Sequence, residues 1–312
     1  MKKNYVTIIF FLFLINSISF ACTIGVASGS ATTDGRALLW KNRDVSAPVY
    51  VHYFNDADYK FIGVGNEESD YIWMGVNEAG FAILNALANF NAEGSGRMGN
   101  GDTMKWALGH FATVEEFDAF LDSTNITGRE THANMGVIDS TGKAIMYEIS
   151  ENNYWKFDTA DTEEGFVVRG NFAFNGGGTT SPTYERSNEI IHNLIAENNL
   201  NCQSILHFQI REFCDNNGEH IPVPFAGNWN DGIPYGYIPI QGISNSGNSS
   251  AVVIQGNLPN EPSYFATMWT LLGQPTAAIA VPCFPMGAPP LETNNNETAP
   301  LFAASQNIKN IL

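Results

Sequence analysis

The run Cys22 to Asp44, CTIGVASGSATTDGRALLWKNRD, constrains this chain more than any other stretch. Thr33-Asp34-Gly35 is turn chemistry between two strand-like runs, Thr23 to Ala27 and Ala37 to Trp40. An antiparallel hairpin centred there pairs residues whose numbers sum to about 67, which sets Cys22 opposite residues 44 and 45. Lys41, Asn42, Arg43 and Asp44 then return to the head of the hairpin.

What precedes Cys22 decides what that cysteine is. Met1 to Ala21 reads as a secretory leader: Lys2 and Lys3 form the charged end, Val6 to Ile15 the apolar core, and Ser19-Phe20-Ala21 a small-x-small cleavage site. The apolar core is about half the length a bilayer-spanning helix needs, which argues against a membrane anchor. Cleavage at Ala21-Cys22 predicts an exported protein, periplasmic or extracellular, whose first residue is Cys22. That residue then carries a thiol with an unperturbed pKa of about 8.5 and an α-amine of about 7.7 to 8.0. One group can take the proton the other gives up, so a nucleophile and its base sit in one residue. A carboxylate at Asp44 is suited to hold the ammonium, and Lys41 or Arg43 to favour the thiolate.

Charge excludes several partners. Fifteen Lys and Arg stand against 32 Asp and Glu, a formal net charge of −17 in 312 residues, and loss of the leader removes two more lysines. Such a surface repels phosphate backbones and anionic lipid, so no nucleic acid is expected, and no later run reaches transmembrane length. Four cysteines, Cys22, Cys202, Cys214 and Cys283, allow one disulfide among the last three if Cys22 is free. There is no CxxC and no HExxH, and His110, His192 and His207 fall in helix-like segments. Neither a metal nor a cofactor is expected.

Cys22-Thr23, the turn at Asp34-Gly35, and Lys41-Asn42-Arg43-Asp44 resemble, in that order, the cysteine N-terminal nucleophile (Ntn) hydrolases, among them choloylglycine hydrolase, penicillin V acylase, acid ceramidase and isopenicillin N acyltransferase. The family's pattern is Cys-Thr, a Gly-containing turn, then Gly-Arg-Asn-x-Asp. Here Lys41 stands where the arginine is usual, so either Lys41 or Arg43 supports the thiol. The segment WMGVNEAGFAILN resembles the family's strand, Asn-Glu-x-Gly, strand pattern and makes Asn85 a candidate oxyanion-hole residue. FVVRGN, ending at Asn171, matches the family's oxyanion asparagine, with Asn175 as the fallback. An amide suits that task because it donates N–H groups without titrating at working pH. The resemblance covers Cys22 to about Asn175 well and the last third loosely.

The remaining pattern is two blocks of strands with helices between and after, which predicts α+β with stacked antiparallel sheets. The resemblance sharpens this to a single αββα four-layer sandwich over residues 22–312. Strands are expected at Val49 to Phe54, Tyr59 to Val64, Tyr71 to Val76, Phe81 to Leu84, Met135 to Ile138, Ala144 to Ile149, Tyr237 to Ile240, Ala251 to Gln255 and Ala277 to Val281. Helices are expected around Met104 to Phe111, after the capping box Thr113 to Glu116, at Ser187 to Asn198, Gln203 to Phe213 and Tyr264 to Leu272, and a loop at Pro285 to Pro300. Phe225, Trp229, Tyr235 and Tyr237 are candidates for an apolar acyl pocket or for ordinary packing. The function implied is an exported hydrolase or acyltransferase acting on a linear amide C–N bond of a small molecule, with homo-oligomerisation left open. Two other readings stay beside it: a secreted or lipid-anchored β-rich binding protein with lipid on Cys22, and an Ntn-type dipeptidase.

Overall fold

The computed structural model describes residues 22–88, 90, 97–213 and 242–311. Among these, thirteen strands form two antiparallel sheets. The first has the order β10-β1-β2-β11-β12-β13, built from β1 (Thr23–Ala27), β2 (Leu38–Asp44), β10 (Phe166–Arg169), β11 (Asn248–Gln255), β12 (Thr267–Leu272) and β13 (Val281–Cys283). The second runs in chain order: β3 (Val49–Phe54), β4 (Phe61–Asn66), β5 (Ile72–Asn77), β6 (Ala82–Leu87), β7 (Ala133–Ile138), β8 (Ala144–Ile149) and β9 (Tyr154–Asp158). The helices are α1 (Asn100–His110), α2 (Val114–Thr127), α3 (Pro182–Ala196), the short α4 (Cys202–Ser204) and α5 (Pro300–Ile311).

Three cores account for the layers. Alternate residues of a strand face opposite sides, so both sheets need two covers. Ile24, Val26, Leu39, Val252 and Ile254 of the first sheet meet Val64, Met74, Val76, Leu84 and Met146 of the second between the sheets. Phe61, Ile83, Val137 and Tyr147 face outward onto Met104, Leu108, Phe117 and Leu121 of α1 and α2. Leu38, Trp40, Ala251 and Val253 face the other way, onto Ile190, Ile191 and Leu194 of α3. Helix, sheet, sheet, helix is the four-layer α+β sandwich expected. Among the described residues no helix is long and apolar enough to cross a membrane.

The first hairpin forms, with a shifted register. Thr23 pairs with Asn42, Ile24 with Lys41 and Gly25 with Trp40, so extending the ladder one step sets Cys22 opposite Arg43 and not opposite residues 44 and 45. The connection is longer than a tight turn: Ser28 N–H bonds Gly165, Thr32 Oγ1 donates to Gly29 and Arg36 carbonyls, and Gly35 takes φ +75°. Gly25 has a packing role, since a Cβ there would lie 2.0 Å from the Trp40 ring.

Several other expectations need correction. Tyr264 to Leu272 is a 3-10 turn, Ser263–Phe265, followed by strand β12, which takes all six pairings from β11. Its apolar run is too short for periodicity to separate helix from strand, and the partner decides. Ala277 to Val281 gives a 3-10 turn at Pro275–Ala277, and the strand starts only at Val281. Gln203 to Phe213 reduces to α4 and a π-helical turn, Ile205–Gln209. Strand β9 and helix α5 are additions. Tyr237 to Ile240, Phe225, Trp229, Tyr235 and Cys214 lie outside the described residues. Cys202 and Cys283 are buried free thiols in cores on opposite faces of the first sheet, so they cannot bridge each other.

Candidate active site

Strand alternation sorts the sequence-predicted residues. Cys22 packs against the core between the sheets, two residues before Ile24, which points the same way. Lys41 and Arg43, two apart on β2, share that face with Leu39. Lys41 Nζ crosses to the second sheet and donates to Asn85 Oδ1 at 2.8 Å and to the Trp73 carbonyl at 2.9 Å. Arg43 Nη2 donates to Asn66 Oδ1 at 2.9 Å, with its guanidinium carbon 5.2 Å from the centre of the Trp73 ring.

Asp44 ends β2 beside the cysteine. Its carboxylate accepts from Asn248 Nδ2 and, at 3.2 Å, from Asn245 Nδ2, while its backbone hydrogen-bonds the Cys22 thiol. Asn42, on the outward face, donates to Asn248 Oδ1 at 3.1 Å and to the Ile210 carbonyl at 2.9 Å. Asn248 therefore orients Asp44 and is itself oriented by Asn42. The ladder slips between Asn248 and Ser250, a bulge that turns Asn248 toward the carboxylate.

Burial and charge oppose each other at the thiol. Burial raises the Cys22 pKa, while the Lys41 ammonium is the strongest influence lowering it, ahead of Arg43. Lys41 is lowered to about 7, first by burial, with the Cys22 thiolate acting to raise it. Arg43 is lowered to about 10 by burial. The thiolate and the ammonium of Lys41 each favour the other, so the pair titrates as a unit.

A second group of polar residues holds Asn171 near this centre. Asn134 Nδ2 donates to the carbonyls on either side of it, Gly170 at 2.8 Å and Phe172 at 2.5 Å. Glu148, paired across the ladder with Asn134 and fully buried, accepts from Arg169 Nε at 2.9 Å, from the Phe174 and Asn175 backbone N–H groups and from Asn175 Nδ2. Asn175 is thus committed to fixing the loop, and Asn171 keeps a buried Oδ1 with no partner among the described residues. A Cβ on Gly170 would lie 3.6 Å from the Cys22 carbonyl, so this loop runs directly alongside the cysteine. Glu148 and Asn134 carry a sequence signal: each is a polar residue inside an otherwise apolar strand, AIMYEI and ANMGVI, which is stable only when paired.

The arrangement brings Cys22, Lys41, Arg43, Asp44 and Asn85 around one end of the first hairpin and holds the Asn171 loop against it. This sandwich recurs in solved structures. The N-acylethanolamine-hydrolyzing acid amidase (NAAA) ortholog of Caenorhabditis elegans superposes with a TM-score of 0.51 at 14% identity, covering 77% of this chain and 94% of that one. The chain has the fold of the Ntn hydrolases. Penicillin V acylase from Agrobacterium tumefaciens gives a TM-score of 0.49 at 14% identity over 80% of this chain and 83% of its own. A variant of conjugated bile acid hydrolase from Clostridium perfringens gives 0.42 at 13% identity, covering 83% and 92%. No family model matches the sequence, and no curated protein matches it. At such identities the Ntn likeness is one of fold, and the chemistry has to be argued from the residues.

Proposed function

We propose that this protein is an exported cysteine amidohydrolase that cleaves a linear amide C–N bond of a small molecule, with Cys22 as the N-terminal residue of the mature chain. One observation carries the reading: Cys22 stands at the leading end of β1, on the face between the sheets, with Lys41 and Arg43 on the same face of the adjoining strand and Asp44 at that strand's end.

In this mechanism Sγ of Cys22 attacks the amide carbonyl as its proton passes, through a water, to the α-amine. Asp44 steadies the ammonium form of that amine, and Lys41 stabilises the thiolate. Asn171 and Asn85 donate to the tetrahedral oxyanion. The Asn85 oxygen already accepts from Lys41, so its remaining capacity is as a donor through Nδ2. The C–N bond breaks, the amine leaves with the proton, and water hydrolyses the thioester. Transfer of the acyl group to a second amine is the same chemistry with another acceptor.

The test is the amine rather than the thiol. A chain processed one residue early, so that Ala21 precedes Cys22, keeps the thiol but converts the base into an amide. It is expected to fold and to be inactive on a panel of N-acyl amides, and aminopeptidase removal of Ala21 is expected to restore turnover. Full activity of the extended form sinks the reading.

A further inference from the structure

The strand face that meets Cys22 carries two cations whose side-chain hydrogen bonds go to neutral oxygens. Lys41 bonds the Trp73 carbonyl and Asn85; Arg43 bonds Asn66. The two are not equivalent. Lys41 spends its ammonium on the second sheet, whereas Arg43 is 6% exposed and its Nη1 is buried with no hydrogen-bond partner among the described residues. A guanidinium in that position has given up water on one edge and gained nothing for it.

The rest of the side chain is fixed. Asn66 holds Nη2, and Trp73 lies under the guanidinium, so the group is oriented before any ligand arrives. We propose that Arg43 is the receptor for a carboxylate of the substrate, so that the preferred amide carries its negative charge close to the scissile bond. A carboxylate is the matching ligand because its two oxygens fit the planar edge of a guanidinium, and because an anion offsets the cost of the buried charge. Extending the ladder one step beyond Thr23–Asn42 makes Cys22 and Arg43 cross-strand neighbours, and Cα atoms in such pairs are about 4.5 to 5.5 Å apart. The charge therefore belongs within a few bonds of the reacting carbonyl. This inference rests on the amidase reading above, and Arg43 in it selects substrate, while Lys41 serves the thiol.

The experiment compares matched substrates of the mature enzyme. N-octanoylglycine and N-octanoylethanolamine share the acyl chain and differ by a carboxylate on the amine half; adipic acid mono-anilide and hexananilide differ by one on the acyl half. In the wild type, kcat/KM is expected to favour the acid of one pair by about tenfold or more, and the position of the charge is read from which pair responds. In Arg43→Met that ratio falls toward one, mainly through KM, and Arg43→Lys recovers part of it. A ratio that Arg43→Met leaves unchanged, or no preference in the wild type, overturns the proposal. Calorimetric binding of both acids to Cys22→Ala, with and without Arg43→Met, gives a readout without turnover. Arg43-dependent binding to a chain whose wild type hydrolyses nothing retains the carboxylate site and removes the amidase reading. Turnover by the wild type with binding indifferent to Arg43 does the reverse.

Discussion

Lys41 reaches across the gap between the two sheets and donates to Asn85 Oδ1 at 2.8 Å, tying the strand beside Cys22 to a strand of the opposite sheet. The contact fixes which end of the Asn85 amide is free. Asn85→Ala removes a donor and an acceptor for a buried ammonium together. Turnover is expected to fall by about 10²-fold or more, as for loss of an oxyanion donor. A steady-state kcat within a fewfold of wild type removes Asn85 from the oxyanion site.

Asn171→Ala is expected to lower kcat by about 10²-fold with a smaller change in KM, because the donor acts mainly in the transition state. Asn175→Ala should show the opposite emphasis. Its amide is bonded to Glu148, so its loss loosens the loop and lowers thermal stability along with activity. A kcat loss at normal melting temperature in Asn175→Ala, with near-normal kcat in Asn171→Ala, would reverse the two assignments.

Asp44→Asn keeps the shape of the side chain and removes its charge. If Asp44 steadies the α-ammonium, activity is expected to drop by about 10²-fold or more, as when a charged hydrogen-bond partner is lost. Asn248→Ala, which removes one of the groups orienting Asp44, should be milder. An Asp44→Asn enzyme with normal turnover leaves the amine without its partner and defeats that part of the mechanism.

Much of this centre was legible in the sequence because it is local. Cys22, Lys41, Arg43 and Asp44 come from one hairpin, and period-2 alternation alone places Lys41 and Arg43 on one face. The register was not legible, because Thr33-Asp34-Gly35 looks like a two-residue turn and the actual connection is held by Gly165 and Leu200, far along the chain. Glu148, Asn134, Asn248 and Asn66 escaped for the same reason: each acts on a residue that sequence separation hides. In the last third, Thr267–Leu272 forms a strand because β11 offers it an edge. No property of those six residues announces that edge.

The Glu148–Arg169 pair yields a stability test. Glu148 is fully buried and the Arg169 side chain nearly so, with Nε to Oε1 at 2.9 Å. Removing one charge leaves the other buried and unpaired, so Glu148→Gln is expected to cost about 3 to 5 kcal/mol. Replacing both, as Glu148→Gln with Arg169→Met, should cost less than the sum of the two single changes, as judged by denaturant unfolding, the Gln oxygen still accepting from the Phe174 and Asn175 loop. Additive losses would show that the two residues act independently.

The pH profile separates Lys41 from an arginine in its place. Lys41 is lowered to about 7 by burial, so the ammonium that favours the Cys22 thiolate is lost as pH rises through that value. Below it Lys41 is charged, and the rate climbs by about tenfold per pH unit as the thiol, whose own pKa burial holds above its ordinary value, ionises. Above it each gain in thiolate is offset by a loss of ammonium, so the wild-type profile levels off near neutrality, and the bend belongs to the coupled pair. Lys41→Arg keeps a positive charge at every accessible pH, so that bend should vanish and the rate should keep climbing until the thiol is ionised. Lys41→Met should lose the bend as well, but with a lower rate throughout, because only Arg43 and the Asp44 backbone then oppose the effect of burial on the thiol. A Lys41→Arg enzyme that still levels off near neutrality would assign that proton to another group.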